Sequence, residues 1–192
     1  MWYNLAASPI IMIEGVTMQT DEVIEKATEV INLSYLKEPP VDVYALAKTY
    51  GLEIEQQPFP EKYQHISGFI SLSNGSPKLF VNDNDSQNRK NFTVAHELGH
   101  WLLHKDHLLN DPNLAVLFRI PLGTLNQDPL EREANTFAAN LLVPKAMLDA
   151  YRDDKGQREL AQMFGVSEEV IGYRLEHTRE TPRHPETQTT QE

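Results

Sequence analysis

The sequence predicts an α+β fold, mainly helical, with a small antiparallel-containing sheet beside one long helix. Three observations predict it. Apolar residues recur at helical spacing over much of the chain, as in Val23, Ile24, Ala27, Val30 and Ile31. Three short stretches in the first half read as strands, and Asn74-Gly75-Ser76-Pro77 between the last two is hairpin punctuation. A polar run from Asn82 to Asn91 then gives way to Phe92, Ala95, Leu98, Trp101, Leu102 and Leu103, the apolar positions of a helix fixed against a core.

In chain order, the first twenty residues read as an N-terminal extension. Its Ile10-Ile11-Met12-Ile13 is too short for a signal peptide and has no Lys or Arg before it. Thr20 is placed to cap the first helix. Pro39-Pro40 breaks the chain, Asp42 caps a short helix with Val43, Leu46 and Ala47 inward, and Gly51 after Tyr50 reads as its stop. Leu52-Glu53-Ile54-Glu55 forms the first strand, and Ile66 to Leu72 and Lys78 to Asn82 the next two. Ser86 is the cap of the long helix. Lys105 to Gln127, rich in Asn, Asp and Pro, is a loop whose Leu114, Val116, Leu117, Phe118 and Ile120 cover a cleft, contact a partner or simply anchor it. Asp128 as cap and Pro129 at the first helical position announce another helix, with Ala134, Phe137, Ala138, Leu141 and Leu142 inward.

After Pro144, two or three short helices follow, marked by Met147, Leu148 and Tyr151, then Leu160, Ala161 and Phe164, then Val166, Val170, Ile171 and Leu175. From Arg179 the tail reads as disordered. The expected organisation is an extension over 1–20, a single domain over 21–178 and a disordered tail over 179–192.

Composition narrows the classes of function. The 192 residues contain no cysteine, which excludes disulfides and any thiolate metal site. No apolar run reaches the ~18 residues a membrane span needs, and a cytoplasmic location is expected. With 17 basic and 28 acidic residues the net charge is −11, which disfavours direct binding to nucleic acid and suits a basic partner.

The chemistry concentrates in His96-Glu97-Leu98-Gly99-His100. On a helix, residues four apart share a face, so His96 and His100 can hold one ion while Glu97 lies beside them as a base for water. Gly99 weakens the helix by roughly 1 kcal/mol against Ala, which makes sense if another backbone, a substrate or the ion comes close. Catalytic zinc usually has three protein ligands and an open position, so one ligand is missing. The helix opened by Asp128 offers Glu131 and Glu133. Glu131 lies one turn before Asn135, which can hydrogen-bond a ligating histidine, and shares the side bearing Ala134 and Ala138; Glu133 projects 200° away. Glu131 is therefore favoured, with a capping box as its bland reading; for Glu133 the bland reading is a solvated residue.

Arg89-x-x-Phe92-Thr93-x-Ala95-His96-Glu97-Leu98-Gly99-His100-x-Leu102-Leu103-His104, followed by Glu131-x-Glu133-Ala134-Asn135-x-Phe137-Ala138-Ala139-x-Leu141-Leu142-x-Pro144, resembles the ImmA/IrrE family of bacterial and phage metallopeptidases. Ser67-Gly68-Phe69-Ile70, Phe80-Val81-Asn82 and the Leu160 to Ser167 segment resemble it too. Val143-Pro144 departs from the more usual Met-Pro. The resemblance implies a zincin-like fold and a cytoplasmic regulatory peptidase acting on a helix-turn-helix repressor in a mobile-element, stress-response or toxin-antitoxin context. It implies metal binding by His96, His100 and Glu131, with Glu97 as general base.

Zinc is the expected metal, with manganese or iron as alternatives. The expected partner is a basic helix-turn-helix repressor, with no direct contact to nucleic acid or membrane. His104, Tyr63 and His65 are candidates to stabilise an oxyanion. Ile66 to Leu72 is expected near the cleft, where a strand edge can hold an extended peptide. Besides a weaker option, a hydrolase acting on a non-peptide amide, two rivals stand beside the endopeptidase. One is a metal-binding partner or antitoxin that binds a regulator without cutting it. The other takes Leu160 to Leu175, with Gly165 in the turn, as a DNA-binding helix-turn-helix, against which Glu168 and Glu169 open its second helix and only Arg174 follows.

Overall fold

A computed structural model of the chain describes residues 17–73, 76–110 and 128–178. Residues 1–16 of the expected extension, the hairpin tip at Asn74-Gly75, residues 111–127 and the tail from Arg179 lie outside the described residues. The helices are α1 (Thr20–Ser34), α2 (Val43–Thr49), α3 (Gln87–Leu103), α4 (Lys105–Asn110), α5 (Pro129–Leu142), α6 (Lys145–Tyr151), α7 (Gln157–Phe164) and α8 (Glu168–His177). The strands are β1 (Glu53–Gln57), β2 (Gly68–Ser73) and β3 (Ser76–Asn82), with a 3-10 turn at Glu61–Tyr63.

Helix starts follow local chemistry. The side chain of Asp42 accepts from Ala45 N–H at 3.0 Å, Ser86 from Arg89 N–H at 3.4 Å and Asp128 from Leu130 N–H at 2.9 Å. At α1, Thr20 is the first helical residue instead of the cap. Gln19 takes the cap position because Glu22, three residues on, reaches back to accept its N–H at 3.1 Å.

The sheet order is β1-β3-β2, with β2 antiparallel and β1 parallel to β3. The chain leaves β1, crosses the end of β3 through residues 58–67, returns as β2 and comes back up the middle as β3. Asn82, at the end of β3 and only 1% exposed, secures the crossing. Its side chain accepts from Phe59 N–H at 3.2 Å and donates to Ile66 O at 3.1 Å. Asn82 N–H donates to Ser67 O at 2.7 Å, which sets the ladder phase: pairs 69/80 and 71/78 exchange hydrogen bonds. The backbone groups of Gly68, Ile70 and Leu72 therefore turn away from β3, at a strand that is the sheet's edge among the described residues. Pro77, which has no N–H to give, sits opposite Leu72 where none is needed.

Helix α3 is the centre of the molecule, buried without a break from Thr93 to Trp101. It packs on α5, α2 and both β2 and β3, while α1 packs along another side of α5. Two glycines permit the closest approaches. A Cβ on Gly99 would lie 3.0 Å from the Phe137 ring and 3.3 Å from Ala134 Cα, so the visitor that its flexibility cost implied is the backbone of α5. A Cβ on Gly68 would meet Thr93 Cγ2 at 2.5 Å and Phe80 O at 2.8 Å, so only glycine lets β2 lie against α3 there. Gly68→Ala should destabilise the chain by about 1–3 kcal/mol through forced displacement. Urea unfolding checks this, and an unchanged midpoint would contradict the close contact.

The polar residues at the start of α3 also have structural work. Asn88 and Asn91 donate to Val166 O at 2.8 Å and Gly165 O at 2.9 Å, fastening the α7–α8 turn to the helix. Arg174, 3% exposed, donates to Val143 O at 3.0 Å and thereby ties α8 to the end of α5. The rival nucleic-acid reading thus loses the one basic side chain it had in the middle of α8.

Candidate metal centre

Helix α3 presents His96 and His100 one turn apart, and the first turn of α5 brings Glu131 to them. His100 Nε2 lies 3.0 Å from His96 Nε2 and 3.1 Å from Glu131 Oε1, and His96 Nε2 lies 3.4 Å from Glu131 Oε2. All three residues are buried, and one ligand atom from each lies within 4.8 Å of the others. The structure thus gathers His96, His100 and Glu131 at one point. Glu133 is elsewhere.

The far side of each imidazole is also engaged. His96 Nδ1 lies 3.0 Å from Asn135 Oδ1, an acceptor, so this nitrogen carries a proton and, in the neutral ring, Nε2 keeps its lone pair for the cluster. His100 Nδ1 lies 3.0 Å from His104 Nδ1, and His104 Nε2 lies 2.9 Å from Glu133 Oε2. The other oxygen of Glu133 accepts from Met18 N–H at 2.9 Å.

The bland reading of Glu133, a solvated residue, is corrected: it is 7% exposed, and it stands apart from the cluster it was the alternative to join. The side of α5 pointing 200° from Glu131 faces α1 and the segment before it, not water. His104, 2% exposed and held between His100 and Glu133, is no longer available to an oxyanion. Tyr63 and His65 remain as candidates, both in the crossing segment between β1 and β2.

Electrostatics separates the roles of the acidic groups. Burial pushes the Glu97 carboxyl up to about 8; His96 opposes this, Glu131 adds to it, and a backbone hydrogen bond from Ile70 opposes it. Glu97 Oε2 is buried with no hydrogen-bond partner. Burial also acts to raise Glu131, but the close contacts with the His100 and His96 imidazoles outweigh it and hold Glu131 well below the ordinary carboxylate range. Burial and neighbouring His96 drive His100 down to about 3, whereas Glu131 overcomes burial at His96 and raises it. Glu131 is thus anionic, His100 is neutral, and Glu97 can hold a proton near neutrality. Two imidazole nitrogens with one carboxylate are the donor set of many catalytic zinc sites.

The profile of the IrrE N-terminal-like domain, Peptidase M78, matches residues 47–176, from α2 to the last turn of α8. The chain is 30% identical over 109 residues to the uncharacterized immunity region protein 2 of Bacillus phage phi105, covering 56% of this chain and 65% of that protein. It is 26% identical over 112 residues to Metallopeptidase ImmA of Bacillus subtilis strain 168, covering 57% of this chain and 62% of that protein. It therefore spans less than two thirds of the length of either relative. A solved Mycobacterium tuberculosis transcriptional regulator shares the fold, with a TM-score of 0.57 over 85% of this chain and 48% of its own, at 16% identity. The family match takes in every residue of the site, and the chain belongs to the IrrE N-terminal-like, or ImmA/IrrE, metallopeptidase family.

Proposed function

We propose that this chain is a zinc-dependent endopeptidase that cuts a regulatory protein, a basic helix-turn-helix repressor. The observation carrying this reading is the buried His96–His100–Glu131 cluster with the unpartnered Glu97 Oε2 beside it. An ion in this pocket supplies the Lewis acidity that acidifies water and polarises a carbonyl.

The chain's own residues do the rest. Asn135 holds His96 in the tautomer that offers Nε2, and Glu131 adds negative charge. Glu97 accepts a proton from the attacking water at Oε2 and hands it to the departing amine. Its other contact, the backbone of Ile70, lies on the outward-facing phase of β2, so base and strand edge are adjacent. An extended peptide paired along that edge places its carbonyl beside Glu97.

The names of two relatives, an immunity region protein and Metallopeptidase ImmA, support a role in the control of a mobile element. The net charge of −11 suits a basic target. The deciding experiment incubates the zinc-loaded chain with basic helix-turn-helix regulators from its own genetic neighbourhood and looks for fragments by mass spectrometry. Discrete fragments that vanish with chelator are expected. A stable complex with no fragments would sink the peptidase and favour the non-cleaving partner protein.

A further inference from the structure

Beyond the three cluster residues, a buried chain of hydrogen bonds runs from His100 through His104 to Glu133 and ends at the backbone of Met18. From its geometry we infer that His104 and Glu133 are positioning residues that hold His100 in the one tautomer able to bind a metal, and that the segment entering α1 closes this device. The inference rests on the metal-centre reading and deepens it.

Each proton in the chain follows from the one before it. Glu133 Oε1 faces a donor, Met18 N–H at 2.9 Å, and Oε2 faces His104 Nε2 at 2.9 Å. A carboxylate between two such groups accepts from both, so His104 carries its proton on Nε2. A neutral His104 then offers only a lone pair at Nδ1. Across 3.0 Å, His100 Nδ1 must supply the hydrogen, which leaves the lone pair of His100 on Nε2, the atom facing His96 and Glu131. The alternative tautomers would place a hydrogen on the nitrogen that has to ligate. Burial enforces the choice, because His100 is 0% exposed and water cannot substitute for a lost partner.

The linkage also explains why α5 carries two buried carboxylates on different sides. Glu131 and Glu133 grip the two nitrogens of the same imidazole system, one directly and one through His104, so a shift of α5 moves both ends together. Met18 N–H holds Glu133 from the chain that leads into α1, and α1 packs on α5. The start of the domain is therefore mechanically joined to the site, although Met18 touches none of the three cluster residues in the hydrogen-bond chain.

Glu133→Gln tests this with almost no change of volume. A glutamine has a single acceptor oxygen and cannot receive from both Met18 and His104. If it serves Met18, its NH2 meets His104, reverses both tautomers and protonates His100 Nε2. If it serves His104, Met18 N–H is left facing a donor. His104→Asn is the second variant, since its short side chain retains an acceptor toward His100 but cannot span to Glu133. Zinc affinity of the full chain is measured by competition with a chromophoric chelator. Cobalt substitution gives a visible spectrum that reports the ligand field, and circular dichroism of the metal-free chain reports folding.

Both variants should fold, bind zinc with about 10–100-fold weaker affinity, and show an altered cobalt spectrum. A merely structural pair would change thermal stability and leave affinity and spectrum as in wild type, and that result overturns the inference. If one variant does not fold, the other decides on the same two readouts. Wild type that binds no zinc overturns this inference and the metal reading together, whereas wild-type affinity in a folded variant overturns the positioning role alone.

Discussion

Glu97→Gln should retain zinc and fold while losing turnover by about 10²–10⁴-fold, the range for removal of a general acid-base. The substitution preserves shape and places a neutral amide where a neutral acid can already sit, since burial raises the carboxyl to about 8. It removes only the ability to take and return a proton. The same shift yields a stability signature in chain stripped of metal by chelator. A folded carboxyl near 8 against an ordinary value near 4.5 means that the folded chain holds the extra proton between those pH values. Stability contributed by Glu97 is therefore full at low pH and falls as pH rises through this window, by up to about 1.4 kcal/mol per unit. In Glu97→Gln that contribution to the slope disappears. Urea unfolding of both chains at pH 5.5 and 7.5, as chosen conditions of about that spacing, measures the difference. Equal slopes would show that Glu97 is already ionised, and loss of zinc in the variant would place Glu97 among the ligands.

Glu131→Ala should lose zinc outright at micromolar protein, a loss of at least about 3 kcal/mol or roughly a hundredfold in affinity. The expectation rests on distance: both oxygens of Glu131 face the histidines, at 3.1 Å and 3.4 Å. Alanine also strips His96 and His100 of the anion that lies between them, so the metal-free variant should be less stable as well. Zinc content by atomic emission, beside His96→Ala as a positive control and Glu133→Gln as the milder case, orders the three effects. Zinc retained by Glu131→Ala at wild-type affinity would move the third ligand elsewhere.

The contrast between Glu131 and Glu133 shows what a sequence can disclose here. Spacing alone placed His96 and His100 on one face, and Asn135 one turn beyond Glu131 pointed to the side of α5 that meets them. Caps at Asp42, Ser86 and Asp128 were legible because they depend on neighbours two or three residues away. Glu133 was misjudged because its surroundings are built from afar: α1 and Met18, more than a hundred positions earlier, cover the side of α5 that local geometry leaves to solvent. A signal was present in His104, which follows His100 at the same four-residue interval and needs a buried partner of its own. The parallel pairing of β1 with β3 was equally remote, since it depends on how residues 58–67 cross the sheet. Gly99 lay between: its cost in a helix announced a close neighbour, and only the packing named Ala134 and Phe137.

The outward phase of β2 has a further consequence, in the behaviour of the protein toward its own kind. A strand edge that can receive an extended peptide can equally receive the same edge of another copy, which is how sheets begin to aggregate. A net charge of −11 makes approaching copies repel one another. On the proposed reading, that charge keeps the β2 edge available to a guest of opposite sign, a protection that fades as salt screens it.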